Sequence, residues 1–217
     1  MPKSHGGGGM RWLTLGLTAA FASANGVYND GDEIPLFANK VGPFANPSEV
    51  YAFFNLPYCA PQEIEIRRED LGPLLKGDRP MKTLYDIRFK VEKPSTPLCR
   101  KHLSEEDVAK FRQAIVDDYY FEMMLDELPI WGYVGEIETR GTRAVEMAAD
   151  ANASRYFLFT HLDFSIAYNR DRVIEVNVSA DPLQRVDLAQ GGARDVEFSY
   201  SVRWVASDVP FSDRMSR

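Results

Sequence analysis

Chemistry needs side chains that hold charge, protons or metal ions in one place, so the His, Asp, Glu, Cys and Ser residues are weighed first. His161-Leu162-Asp163 is one such place. Side chains alternate on a strand, so His161 and Asp163 share a face and form half of a metal site. Nothing supplies the other half. The remaining histidines are His5, near the start, and His102, and no HExxH or HxH is present. The pair reads as a solvated strand face. Asp117-Asp118 and Asp126-Glu127 bracket a run of aromatics, the residue mix of sugar sites. Asp117, Asp118 or Asp126 are therefore the candidate acids of a glycoside-active enzyme, but that reaction needs two carboxylates facing across a cleft. The plain reading is a charged helix end and a loop. GxSxG, GxGxxG, a Walker loop and EF-hand spacing are all missing. No catalytic residue, cofactor-binding residue or metal ligand is assigned.

Covalent chemistry is better marked. Two cysteines, Cys59 and Cys99, are an even count with no CxxC, which suits one disulfide in an oxidising compartment, or else two buried thiols. A bond between them would contribute about 4 kcal/mol by loop-closure entropy. Asn152-Ala153-Ser154 and Asn177-Val178-Ser179 are N-glycosylation sequons, whereas Asn46-Pro47-Ser48 is excluded by its proline. Asn152 falls in a polar stretch. Asn177 falls on a strand, where access depends on the face it occupies.

The compartment is set by the N-terminus. Arg11 precedes the apolar run Trp12–Ala22, and Ala22-Ser23-Ala24 supplies small residues for a peptidase. The run falls short of the ~20 residues that span a bilayer. Residues 1–24 read as a secretory signal peptide cleaved after Ala24; the alternative is a buried N-terminal helix. The chain of 217 residues is 45% hydrophobic, 12% aromatic and 26% charged, which suits one domain with its own core over residues 25–217. A net charge of −7 argues against nucleic acid and anionic lipid headgroups as partners.

The elements that must position these residues are mostly strands. Ile34, Leu36 and Val41 suit a sheet, but Pro35, Pro43 and Pro47 favour edge positions. Strands are expected over 49–56 and 63–67. The strict alternation of 85–91 predicts a strand whose apolar face is Tyr85, Ile87, Phe89 and Val91, and Lys93 to Pro97 then reads as a turn. One helix is clear. Ser104 is its N-cap, Glu105, Glu106 and Asp107 fill the first turn, and Val108, Phe111, Ala114 and Ile115 form one face. It runs to about Asp118, where Asp117-Asp118 oppose the dipole. Leu128 to Gly132 turns into a short strand, and residues 138–154 read as a loop. A hairpin joins 156–168 to 172–178. Val196, Phe198, Tyr200, Val202 and Trp204 alternate inward in a last strand. About seven strands, one helix near 105–118 and no βαβ rhythm predict a mainly β (α+β), antiparallel sandwich-like fold.

Several blocks closely resemble one family. They are Asp30 to Phe44 (DGDEIPLFANKVGPF) with Asn46-Pro47 and Leu56-Pro57-Tyr58-Cys59, Asp118 to Phe121 with Leu128 to Gly132, Phe159 to Phe164 with Val173 to Val178, and Phe198 to Trp204 with Pro210-Phe211. In order, over residues 28–215, they resemble the lumenal opening of the nonaspanins, the transmembrane nine or endomembrane protein 70 superfamily. The resemblance implies a signal peptide, a lumenal domain and nine membrane spans in Golgi and endosomal membranes. It also implies a role in sorting membrane proteins, particularly those with glycine-rich spans, and in adhesion and phagocytosis. The implied partners are membrane-protein cargo and the family's own transmembrane region. The chain ends at Arg217, where the family's first span would soon follow, so a fragment, a truncated product or a soluble relative is expected. No position matches a catalytic residue of that family, and no enzyme activity or small-molecule substrate is expected. The aromatics of 119–133 are expected to be plain core or to pack against the membrane part; the competing expectation is a secreted β-sandwich that binds glycans, favoured if Tyr119, Tyr120, Trp131 and Tyr133 are exposed together and disfavoured by their complete burial.

Overall fold

The computed structural model describes residues 26–67, 78–139 and 154–216. The segment expected to be a signal peptide, with Ala24, and the sequon residue Asn152 lie outside them. Twelve strands and one α-helix are described, with short 3-10 turns at Phe53–Asn55 and Phe211–Asp213. The chain is mainly β, in antiparallel sheets that share one apolar core.

The first sheet holds β1 (Leu36–Pro43), β2 (Tyr51–Ala52), β3 (Met81–Lys82), β5 (Tyr119–Leu125) and β6 (Leu128–Tyr133), in the order β2-β1-β5-β6, with β3 also on β1. β1 is thus flanked on both sides, contrary to the edge position its prolines suggested. Pro35 precedes the strand and Pro43 closes it, so neither removes an interior ladder bond. Residues 49–56 give only two strand residues before the 3-10 turn, and 63–67 contribute one bridge, Ile66 to Met81. The 85–91 segment keeps its alternation, with Ile87 and Phe89 fully buried and Val91 exposed, but joins no sheet. Its backbone bonds instead to 31–34, through Ile34 N to Ile87 O and Phe89 N to Asp32 O, both 2.9 Å, and Lys90 at φ 56° turns it away.

The second sheet has the order β10 (Arg172–Ala180), β9 (His161–Asn169), β12 (Arg194–Ala206), β4 (Lys93–Leu103). β4 begins where a turn was expected. Pro94 and Pro97 survive in it because it is an edge strand whose register to β12 is irregular. β9 and β12 pair in parallel, the one departure from antiparallel order among the described strands. The inward set Val196, Phe198, Tyr200, Val202 and Trp204 is buried as its alternation predicted.

The third sheet is β11 (Arg185–Asp187), β8 (Ser154–Phe159), β7 (Gly135–Thr139). The run expected as one strand over 156–168 is split between two sheets at Thr160. That residue is buried, and its hydroxyl bonds to Gln184 O at 3.0 Å.

The helix α1 (Glu105–Val116) stops at Asp117 rather than Asp118, which sits at φ 51°. Its start is a capping box: Asp107 N donates to Ser104 Oγ at 3.2 Å and Ser104 N donates to Asp107 Oδ2 at 3.1 Å. Val108, Phe111, Ala114 and Ile115 are buried, and Phe111 meets Tyr58 edge-on at 5.0 Å. Cys59 and Cys99 are bonded, with Cα atoms 6.1 Å apart, tying the chain after β2 to the edge strand β4.

One polar cluster closes the fold. β5 and β6 form a hairpin whose two loop residues, Asp126 (φ 47°) and Glu127 (φ 67°), are both left-handed, the geometry that follows the strand twist. This turn carries Asp126 inward, 7% exposed. Its carboxylate accepts from Tyr28 Oη at 2.6 Å and from Arg214 Nη1 at 2.7 Å, and Arg214 is itself 6% exposed. Burial, and then the Asp126 carboxylate, raise the Tyr28 phenol well above its ordinary pKa, so it remains a donor.

Without Asp126 the buried Arg214 keeps only the longer 3.5 Å contact to the exposed Glu127, so Asp126→Ala is expected to lower unfolding free energy by about 3 kcal/mol. Asp126→Leu with Arg214→Met recovers part of it, as read by urea denaturation. The capping box gives a pH signature. Asp107 feels slight desolvation that raises its pKa, but the bonds from Ser104 outweigh this and hold it below the usual carboxylate value. A depressed folded pKa contributes stability above the unfolded value of about 3.9 and loses it as pH falls through the folded one. Asp107→Asn is therefore expected to flatten the decline in stability below about pH 4 relative to the wild type.

Candidate functional site

The candidate site is the outer face of the first sheet. Phe121, Met123, Leu125, Leu128 and Ile130 point into the core. The alternate residues point outward, and register puts Tyr133 beside Tyr120 and Trp131 beside Glu122 on neighbouring strands. Trp131 is 54% exposed and Tyr133 47%, while Tyr119 and Tyr120 are half-buried. Phe44, which follows β1, is 61% exposed and packs on Tyr120 and Tyr133 at 6.0 and 6.1 Å. Tyr51 and Tyr119 lie nearly parallel at the same end, 6.3 Å apart. Large apolar groups left in water in this number mark a contact surface.

Local packing holds the rings in place. Gly132 lies between Trp131 and Tyr133, and a Cβ there would sit 2.5 Å from the Phe121 ring, so the strand lies flat on the core only because that position has no side chain. At the bulge in β1 the Asn39 amide is 2% exposed and donates to Asp78 at 3.0 Å and to Glu122 at 2.9 Å. Lys40 bridges the same two carboxylates, at 2.8 and 3.5 Å. Burial disfavours its charge, but the bonds to Asp78 and Glu122 prevail and raise its pKa. Glu122 is thereby fixed beside Trp131. The bond to Glu49 raises the Tyr51 phenol, and burial does the same for Tyr119, so both rings are neutral hydrogen-bonding groups.

The residues singled out in the sequence separate in space. Asp117 caps α1 and accepts from Gln113 at 2.8 Å, and Asp118 follows it. Asp126 is at the far end of β5 and is consumed by Tyr28 and Arg214. These acids do not face one another across a cleft. His161 is not on a solvated face as its place beside Asp163 suggested: it is 2% exposed, because its ring nitrogens are taken up by Ser199 Oγ at 2.7 Å and Asp163 at 3.3 Å. His102 pairs with Asp195 on the surface at 2.7 Å. Asn177 is on the exposed face of β10. Among the described residues no group of three or more His, Cys, Asp or Glu could hold a metal. Sequence reasoning missed Phe44 and Tyr51, which join the aromatic run only through strand pairing, and the partners of Asp126, which come from opposite ends of the chain.

The described residues thus form a mainly β fold whose first sheet turns an aromatic face outward. Comparison then gives the family. The family model described as Endomembrane protein 70 matches residues 50–217. The chain is 45% identical over 190 residues to Transmembrane 9 superfamily member 3 of Arabidopsis thaliana, covering 88% of this chain and 31% of that protein. It is 47% identical over 190 residues to member 4 of the same plant, with the same coverage, and 39% identical over 210 residues to member 1 of Bos taurus, covering 92% of this chain and 33% of that protein. The chain belongs to the endomembrane protein 70, or transmembrane 9, family, and it spans about a third of the length of these relatives. No described helix is long and apolar enough to cross a membrane.

The packing makes opposite demands at adjacent positions. Gly132→Ala is expected to cost about 1–3 kcal/mol by overpacking against Phe121, whereas Trp131→Ser and Tyr133→Ser each cost under about 1 kcal/mol. Chemical denaturation of the three variants checks this, and the reverse order would show that the two rings are core residues.

Proposed function

We propose that this chain is the lumenal domain of a transmembrane 9 protein of Golgi and endosomal membranes, without enzymatic activity, and that it takes part in sorting membrane-protein cargo. In this reading residues 1–24 are a signal peptide, residues 25–217 one lumenal domain, and Asn152 and Asn177 glycan acceptors. The observation that carries it is where the aromatic face lies. Arg214 anchors the C-terminal segment at the β5–β6 turn, and Phe211 packs under Arg172 at 4.3 Å. Tyr120 and Tyr133 stand five residues along the hairpin from that turn, about 17 Å at strand rise. A membrane region following the C-terminal segment therefore leaves Phe44, Tyr120 and Tyr133 clear to meet cargo.

A second reading is kept alive by the same exposure. Trp131 and Tyr133 beside the fixed Glu122 carboxylate offer a stacking platform and an acceptor for sugars, so a secreted glycan-binding module uses the same face.

Two measurements separate the readings. The endogenous product is expected to be several hundred residues longer than this chain and to stay in the membrane pellet after carbonate extraction. A product near 24.6 kDa in the supernatant would overturn the membrane reading in favour of the secreted module. In the full-length protein, Trp131→Ser with Tyr133→Ser is expected to release cargo with glycine-rich spans from the Golgi while leaving the protein's own residence unchanged. Unchanged cargo, with loss of binding to immobilised oligosaccharides, would support the sugar reading.

A further inference from the structure

The outer face of the second sheet is different: it is polar, short-chained and hollow. A trough of about 520 Å³ runs over β9 and β12 to the start of β4. It exists because β4 carries Pro94 and pairs irregularly with β12 between Tyr200 and Val202, which bends the edge strand away from the sheet. Register aligns two rows across three strands: Asn177, Ser165 and Arg203, then Ser179, Asp163 and Ser201. Neighbouring strands are ~4.8 Å apart, so Asn177 and Arg203 stand roughly 10 Å apart with only a serine between them.

The floor is built rather than incidental. Asp163 accepts from Ser201 and from the buried His161, whose other nitrogen meets Ser199. Arg203 is exposed and has no ion partner among the described residues. Lys93, at the mouth, is already paired with Asp86 at 2.6 Å, which leaves Glu92, Asp163 and Arg203 as the charges of the trough, a mixed set that suits a hydroxyl-rich ligand rather than a simple ion. Pro94 adds an apolar wall.

We propose that the trough holds the first two sugars of an N-linked glycan carried by Asn177, in the same molecule. This rests on the lumenal reading above. Attachment replaces one Nδ2–H of Asn177 by a bond to the anomeric carbon of a lipid-linked oligosaccharide, whose pyrophosphate leaves as the proton passes to solvent. The second Nδ2–H still donates to Glu175 Oε1, 2.8 Å away. Two linked sugar rings cover the distance to Arg203. Ser165 leaves room beneath them, the Arg203 guanidinium donates to sugar oxygens, and Asp163 accepts from a hydroxyl.

The test uses the full chain with its own N-terminus, made in a eukaryotic secretory host. Peptide mass spectrometry is expected to find Asn177 occupied. Peptide-N-glycosidase is expected to release that glycan from the folded protein about tenfold more slowly than from Arg203→Ala or Ser165→Leu, the factor given by ~1.4 kcal/mol of contact. The first variant removes the donor and the second fills the trough. Equal release rates overturn the proposal. A bare Asn177 in molecules carrying the Cys59–Cys99 disulfide overturns it and leaves the lumenal reading standing. Bare asparagines with free thiols overturn both.

Discussion

The structure depends on one buried carboxylate. The β5–β6 hairpin turns through two left-handed residues, neither of them glycine, and this carries Asp126 into the core edge. A carboxylate there is tolerated only with a cation and a hydrogen-bond donor. Both come from far along the chain, Tyr28 from its start and Arg214 from its end. Arg214 also donates to Val173 O at 3.3 Å and lies over Phe211 at 4.1 Å, and Tyr28 N bonds to Asp171 O at 2.8 Å. Satisfying one charge thus draws both ends of the domain onto the same two hairpin turns and joins the first sheet to the second.

With Tyr28 and Arg214 gathered there, the rest of the described surface divides by sheet. The first sheet turns rings outward, set by β5–β6 register and by the flat seat at Gly132. The second turns serines, Asn177, Asp163 and Arg203 outward, set by the register of β10, β9 and β12. Neither face needs the other, because alternation on a strand makes inner and outer residues independent.

Much of this was legible in residue order. Where the interior is decided locally, pattern suffices. Strict alternation placed Val196 to Trp204 inward, the 172–178 half of the hairpin was plain, and Ser104 with three acids and a 3.6-residue apolar face marked the helix. The two cysteines pointed to one bond. The DGDEIP to FSYSVRW blocks were specific enough to identify the family.

Tertiary structure decided the rest, for reasons outside any local window. Pro94 and Pro97 read as a turn because proline lacks a donor, yet an edge strand needs none on its open side. The alternating 85–91 segment reads as a sheet strand, but it pairs only with 31–34, and Lys90 in a left-handed conformation turns it away. The run through Thr160 belongs to two sheets because the partners on either side of it differ. Asp126 has the type of a catalytic acid and the role of an anchor, a distinction set by which cation folding brings to it. The sequence determines what each residue is able to do and which face it prefers. Its partner, and hence its charge state and purpose, follows only from contacts between segments that the chain holds far apart.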